Sequence, residues 1–133
     1  MSFEEIEHTA DRAFRVRGRD LADLLVNAAR AMHELGVAGS AGKTGATRDL
    51  EVEGIDPESL LVNWLNEILF LEQKHQIVCE KFQIYELKGY RLRARADTRE
   101  CPDYHSEIKA VTFHNLKVSN TPAGLEAEVV VDV

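Results

Sequence analysis

The side chains best suited to chemistry lie at the two ends of the chain. Near the start, His8-Thr9-Ala10-Asp11 sets an imidazole and a carboxylate among small residues. It falls between two short extended pieces, Phe3 to Glu7 and Ala13 to Arg17, the second alternating Phe14 and Val16 with Arg15 and Arg17. Such an interruption is either a strand-end turn that presents side chains or plain turn chemistry in which Asp11 caps local N–H groups. At the other end Asp132 is penultimate, so its carboxylate and the α-carboxylate of Val133 are close neighbours. Paired carboxylates repel unless a cation or a proton relieves them. With Asp11 alongside, they make a set of hard oxygen donors that suits Ca²⁺, Mg²⁺ or Mn²⁺ rather than Zn²⁺. The alternative is a frayed acidic tail, because nothing in the sequence shows that the two ends meet.

Other reactive groups have plainer readings. In HSEIKAVTFHNLKV, His105 to Val118, residues Ile108, Ala110, Thr112, His114, Leu116 and Val118 share one parity, so a continuous strand makes His114 a satisfied core or interface group. His8, Asp11, His105 and His114 could also serve an independent metal-dependent phosphoester hydrolase. The glycine-rich stretch from Gly36 to Ala46 carries GKT near its end, at Gly42 to Thr44. A phosphate-binding loop would need a glycine where Val37 stands, a preceding strand and a following helix, so the stretch reads as a mobile connection. Cys79 and Cys101 lack metal-type spacing. His33 lies off the apolar stripe of its segment and reads as a solvated residue with no task.

The elements that would position these groups follow from periodicity. Asp56 to His75 is the central helix: Asp56 caps it, Pro57 suits its first position, and Glu58 opposes the helix dipole. Leu60, Leu61, Trp64, Leu65, Ile68, Leu69 and Leu71 form a wide apolar arc, with Asn63, Asn66, Glu67, Gln73 and Lys74 opposite. Phe70 falls on the polar side, where it is either covered by a loop or serves as an aromatic anchor for a partner. A first helix starts at Asp20, carries Leu21, Leu24, Leu25, Ala28, Ala29, Met32 and Leu35 on one face, and stops at Gly36 as a C′ residue. Asp49 to Glu53 is a strand. Ile77 to Leu87 and Tyr90 to Asp97 form a hairpin turning at Lys88-Gly89, whose Arg91, Arg93 and Arg95 make a solvated face paired with Glu80 or Glu86. Asn120 to Gly124 is a turn, and Leu125 to Val133 is the final strand. The expected fold is α+β, one domain with two helices packed on one face of a mostly antiparallel sheet.

At 133 residues the chain suits one domain with a true core. A net charge of −7 argues against a protein that chiefly holds a nucleic-acid backbone and favours a cation or a basic partner. Without a signal peptide or an apolar run of membrane length, the expected setting is soluble, reducing and cytoplasmic.

Five pieces together carry a family resemblance across essentially the whole chain: HTAD at His8 to Asp11, the helix after Asp20, PESLLVNWLNEILF at Pro57 to Phe70, EIKAVTFHNL at Glu107 to Leu116, and the terminal Asp132-Val133. The chain resembles the archeases. Arg12 stands where many members carry an apolar residue, and Val133 replaces a commoner isoleucine. The resemblance implies an accessory protein rather than an enzyme. Its partner would be the GTP-dependent RNA ligase of tRNA splicing and RNA repair, with RNA met indirectly through the ligase, and no membrane. It would promote guanylylation of a ligase histidine and multiple turnover. The resemblance further implies a metal site, often described with calcium, at Asp11, Asp132 and Val133. Lys109, then His8, Glu67 and His114, are the implied activation residues. A chaperone-like binding module for unrelated clients is the alternative.

Overall fold

The computed structural model describes residues 3–7 and 12–133. Its elements run β1 (Phe3–Glu7), β2 (Arg12–Gly18), α1 (Leu21–Gly36), β3 (Val37–Ala38), β4 (Arg48–Glu53), α2 (Pro57–His75), β5 (Ile77–Lys88), β6 (Arg91–Glu100), β7 (His105–Ser106), β8 (Ala110–Thr112), β9 (Val118–Thr121) and β10 (Gly124–Asp132). The fold is α+β, with two helices and antiparallel pairing throughout. The strands divide into a five-stranded sheet ordered β1-β2-β10-β8 with β9 also on β10, a three-stranded sheet β4-β6-β5, and the ribbon β3-β7. Helix α1 lies against β2, and α2 against β4, β5 and β8, with the two helices in contact. One apolar cluster runs through all of them, from Phe14 and Val16 through Leu25, Trp64 and Ile68 to Leu92, Ile108 and Val131.

Both helices start as their sequences dictate. Asp20 accepts from Asp23 N at 2.9 Å. Asp56 accepts from Ser59 N at 2.7 Å while Ser59 Oγ accepts from Asp56 N, a reciprocal capping box ahead of Pro57. Helix α2 ends on Gln76 in the left-handed conformation, φ 52°. The indole N–H of Trp64 donates to Leu25 O at 2.8 Å, which satisfies it inside the core and ties α2 to α1.

Several expectations change. Gly36 is the last residue of α1, not a left-handed C′ residue, and a Cβ there would press on the Ile108 side chain; the glycine serves close packing. The hairpin turns one residue later, at Gly89-Tyr90, because Lys88 pairs with Arg91 and Gly89 takes φ 60°. Its arginines do form a paired, solvated face: Arg91–Glu51, Arg93–Glu86 and Arg95–Asp49, while Glu80 meets Arg99. The glycine-rich connection is docked along β6 and does not float: Gly42 N donates to Glu100 O at 2.7 Å and Gly45 N to Thr98 O at 2.8 Å, with a bridge from Thr44 to Arg99.

The largest departure is at His105 to Val118, which is not one strand. It breaks into β7, β8 and β9, with a bend at Glu107 between the first two and a turn at His114-Asn115 between the last two. Its parity therefore does not persist. His114 is exposed in the turn after β8, not a core or interface group, and Phe113 beside it is 57% exposed. Phe70 is also 57% exposed, with the Lys74 ammonium over its ring, so no loop covers it.

Candidate functional site at the end of the C-terminal strand

Strand β10 is central in its sheet, held by β2 on one side and β8 and β9 on the other. Val129, Val130 and Val131 are buried, and the chain emerges at Asp132 and Val133, both exposed. The buried valines anchor the strand, so the carboxylate of Asp132 leaves the core from a fixed backbone. Asp132 pairs with Ala110, and Asp132 O accepts from Lys109 N at 2.8 Å. Lys109 itself is exposed. The predicted Asp132, Val133 and Lys109 are thus brought to one strand end. On the β2 side the register runs to Arg12 opposite Val131. His8 and Asp11 lie outside the described residues.

Arg12 is committed: its guanidinium bonds Glu5 at 2.9 Å and Glu107 at 3.2 Å, linking β1, β2 and the segment before β8. What fixes β8 from its other edge is Asn66 of α2. Its Oδ1 accepts from Val111 N at 2.8 Å and its Nδ2 donates to Val111 O at 3.1 Å. The amide imitates a neighbouring strand and ties the Lys109–Thr112 segment to the helix that carries Glu67, which is half-buried. Periodicity placed Asn66 on the polar side of the helix, and its clamp role carried no sequence signal.

A second cluster, centred on Glu72, has no counterpart among the residues the sequence singles out. Glu72 is fully buried; Oε2 lies 2.6 Å from His33 Nε2 and accepts from Cys79 N at 2.8 Å, and Oε1 accepts from Tyr104 O–H at 3.0 Å. His33 is therefore not an idle solvated residue but a ring stacked on Phe82 and bonded to this carboxyl group. Burial, reinforced by Glu72, pushes the Cys79 thiol and the Tyr104 phenol well above their usual ranges, so both stay neutral. A signal existed: Glu72 follows Ile68 by four and Trp64 by eight, inside the apolar arc. The donors saturate the carboxylate and its role is to join α1, α2, β5 and the loop at Tyr104.

Among the described residues no group of three or more His, Cys, Asp or Glu side chains could hold a metal ion. His105 sits in the β3-β7 ribbon against Ala38, and His114 lies beyond β8, its N–H donating to Thr112 Oγ1 at 3.3 Å; they share no element. No helix is long and apolar enough to cross a membrane among the described residues.

The sequence pattern of the Archease protein family (MTH1598/TM1083) matches residues 3–133. Protein archease of Methanopyrus kandleri is 41% identical, covering 100% of both chains, and that of Archaeoglobus fulgidus is 34% identical over the same shares. The solution structure of protein 1598 of Methanobacterium thermoautotrophicum superposes with a TM-score of 0.77 at 32% identity over 98% of each chain. The crystal structure of a Thermotoga maritima archease, described as a possible chaperone, has the same fold at TM-score 0.69 and 24% identity, covering 98% of this chain and 96% of that one. With a match that runs from β1 to the last residue of the candidate site, the chain belongs to the archease family.

Proposed function

We propose that this chain is an accessory activator of the GTP-dependent RNA ligase that joins 3′-phosphate and 5′-hydroxyl ends in tRNA splicing and RNA repair. It promotes guanylylation of a ligase histidine and multiple turnover, without a substrate of its own, and reaches RNA through the ligase in the cytoplasm. Family membership carries this reading. The meeting of Asp132, Val133 and Lys109 at one exposed strand end supports it.

Asp11, Asp132 and Val133 would hold a divalent cation. Asp132 and Val133 offer hard oxygen donors at an exposed end, and the last register pair, Arg12–Val131, has Asp11 and Asp132 as its neighbours in sequence. That donor chemistry fits Ca²⁺, with Mg²⁺ or Mn²⁺ as alternatives. Such a cation supplies neutralisation of phosphate charge. Lys109, exposed beside it, steadies negative charge developing on the α-phosphate as the ligase histidine attacks. His8, Glu67 and His114 are further activation candidates. A net charge of −7 suits docking at the basic mouth of an RNA-binding active site.

The test is single-turnover guanylylation of the matching ligase with GTP and Mn²⁺, with and without the chain. Wild type should accelerate the step, while Asp11→Ala, Asp132→Ala and Lys109→Ala fold normally and lose the stimulation. Normal stimulation by either aspartate variant rejects the metal role, and no acceleration by wild type rejects the activator reading. A chaperone-like module is the second reading, favoured by exposed Phe70 and Phe113. It would suppress client aggregation equally well in the aspartate variants.

A further inference from the structure

Away from the β10 end, a cleft of about 550 Å³ opens where β2 runs into α1, lined by Arg17, Arg19, Asp23, Asn27 and Arg30 among others. It is a cationic feature on an acidic chain. Asp23, Asn27 and Arg30 follow one another at i, i+4 and i+7, so α1 presents them along one face. Gly18 lets the end of β2 come close to that helix, because a Cβ there would strike the backbone of Asp23 and Leu24. Asn27 Nδ2 donates to Arg17 O at 2.8 Å and ties the two walls together.

A guanidinium carries five N–H donors, so the question is how many are committed. Arg17 spends Nε on Glu126 at 2.8 Å. The Arg19 guanidinium touches Asp23 only through Nε, at 3.4 Å, and the side chain is 86% exposed. Arg30 is exposed and makes no hydrogen bond or ion pair among the described residues. The arginines of β6 are different: Arg91, Arg93, Arg95 and Arg99 each meet a carboxylate. Asp23, the carboxylate inside the cleft, is already occupied, accepting from Arg19 N at 2.9 Å as well as from Arg19 Nε. Arg19, just after β2, and Arg30, on α1, therefore bring donors with no hydrogen-bond partner among the described residues to the two walls of the cleft. A planar carboxylate is satisfied by one fork, whereas donors converging from several directions suit a tetrahedral oxyanion.

We propose that this cleft binds a phosphate oxyanion through the guanidinium groups of Arg19 and Arg30 and the Asn27 amide. The phosphate belongs either to a free nucleotide or to a short RNA strand. The site is separate from the β10 end, and its test does not depend on ligase activation.

The experiment follows arginine Nε–Hε and asparagine side-chain resonances of the whole chain by NMR. The titrants are inorganic phosphate, GMP, a six-nucleotide oligouridylate and a glutamate-rich peptide. Phosphate-bearing titrants should shift Arg19, Asn27 and Arg30 saturably, and Arg30→Gln should weaken binding by about tenfold. Arg19→Gln should act in the same direction, and Arg91→Gln on the far sheet should not. GMP binding as tightly as the oligonucleotide assigns the site to free nucleotides. Tighter, salt-dependent oligonucleotide binding assigns it to an RNA strand. The proposal is overturned if no phosphate titrant gives saturable shifts there, if Arg30→Gln binds like wild type, or if only the glutamate-rich peptide responds.

Discussion

Removing the Glu72 carboxylate should be among the most damaging single changes outside the aliphatic core. Glu72 is 0% exposed and serves His33, Cys79 N and Tyr104 O–H at 2.6, 2.8 and 3.0 Å. In Glu72→Ala the Cys79 amide, buried at the start of β5, loses its acceptor. A buried donor orphaned in this way costs about 1–3 kcal/mol, and truncating a buried side chain of this size to alanine costs about 2–5 kcal/mol. The Tyr104 hydroxyl and the space left by the side chain place Glu72→Ala in the upper range, about 3–5 kcal/mol, or a Tm lower by roughly 10–20 °C. Glu72→Gln keeps the shape and one carbonyl acceptor for Cys79 N. The new amide nitrogen then takes the place of Oε1, where Tyr104 O–H can turn to accept from it, while His33 faces the retained carbonyl beside Cys79 N, so the loss should be about 1–2 kcal/mol. Urea denaturation followed by circular dichroism, with His33→Ala and the double variant completing a cycle, measures each value. If Glu72→Ala loses less than about 1 kcal/mol, the cluster is not what joins the helices to β5. If Glu72→Gln is as damaging as Glu72→Ala, the negative charge rather than the acceptor geometry holds the site.

Two further outcomes follow from local geometry. Gly36→Ala should destabilise by about 1–3 kcal/mol through overpacking against Ile108, although alanine is the better helix former by about 1 kcal/mol. Ile108→Val should recover part of the loss, and a gain in stability from Gly36→Ala alone would contradict the close approach. At the start of α2, the bond from Ser59 N holds the Asp56 carboxyl below its usual range. Its folded pKa is therefore lower than its unfolded one, so its contribution is complete above the ordinary carboxylate range and disappears as pH falls through the lowered value. Asp56→Asn keeps a capping oxygen without the charge, so stability measured from neutral to acid pH should fall less steeply than in wild type; equal slopes would reject the assignment.

Much of this architecture was legible because local rules and burial agree. The caps at Asp20 and Asp56, the leucine arc around Trp64 and the alternation of β6 each repeat one message at several positions. The site was legible in part. The emergence of Asp132 and Val133 follows from a run of buried valines ending in an acid, and Lys109 arrives beside them through a backbone bond that no side-chain pattern announces. Glu72 could have been found, since a carboxylate inside an apolar arc must have partners. Their identities come from three other elements distant in sequence.

The misreading of His105 to Val118 has a physical cause that bears on function. A period of two holds only while the ladder continues, and β8 has a strand partner on one edge alone. On its other edge Asn66 answers both polar groups of Val111, so three residues suffice to pin the segment and the chain is free to turn at once. A continuous strand would have sent alternate side chains of this block into the core. The short, clamped one leaves Lys109, Phe113 and His114 exposed on a backbone that is nevertheless fixed to α2 and β10. That combination is what a surface needs when it must meet a partner without first paying to order itself, and it makes Asn66, which carries no reactive group, a determinant of how Lys109 is presented.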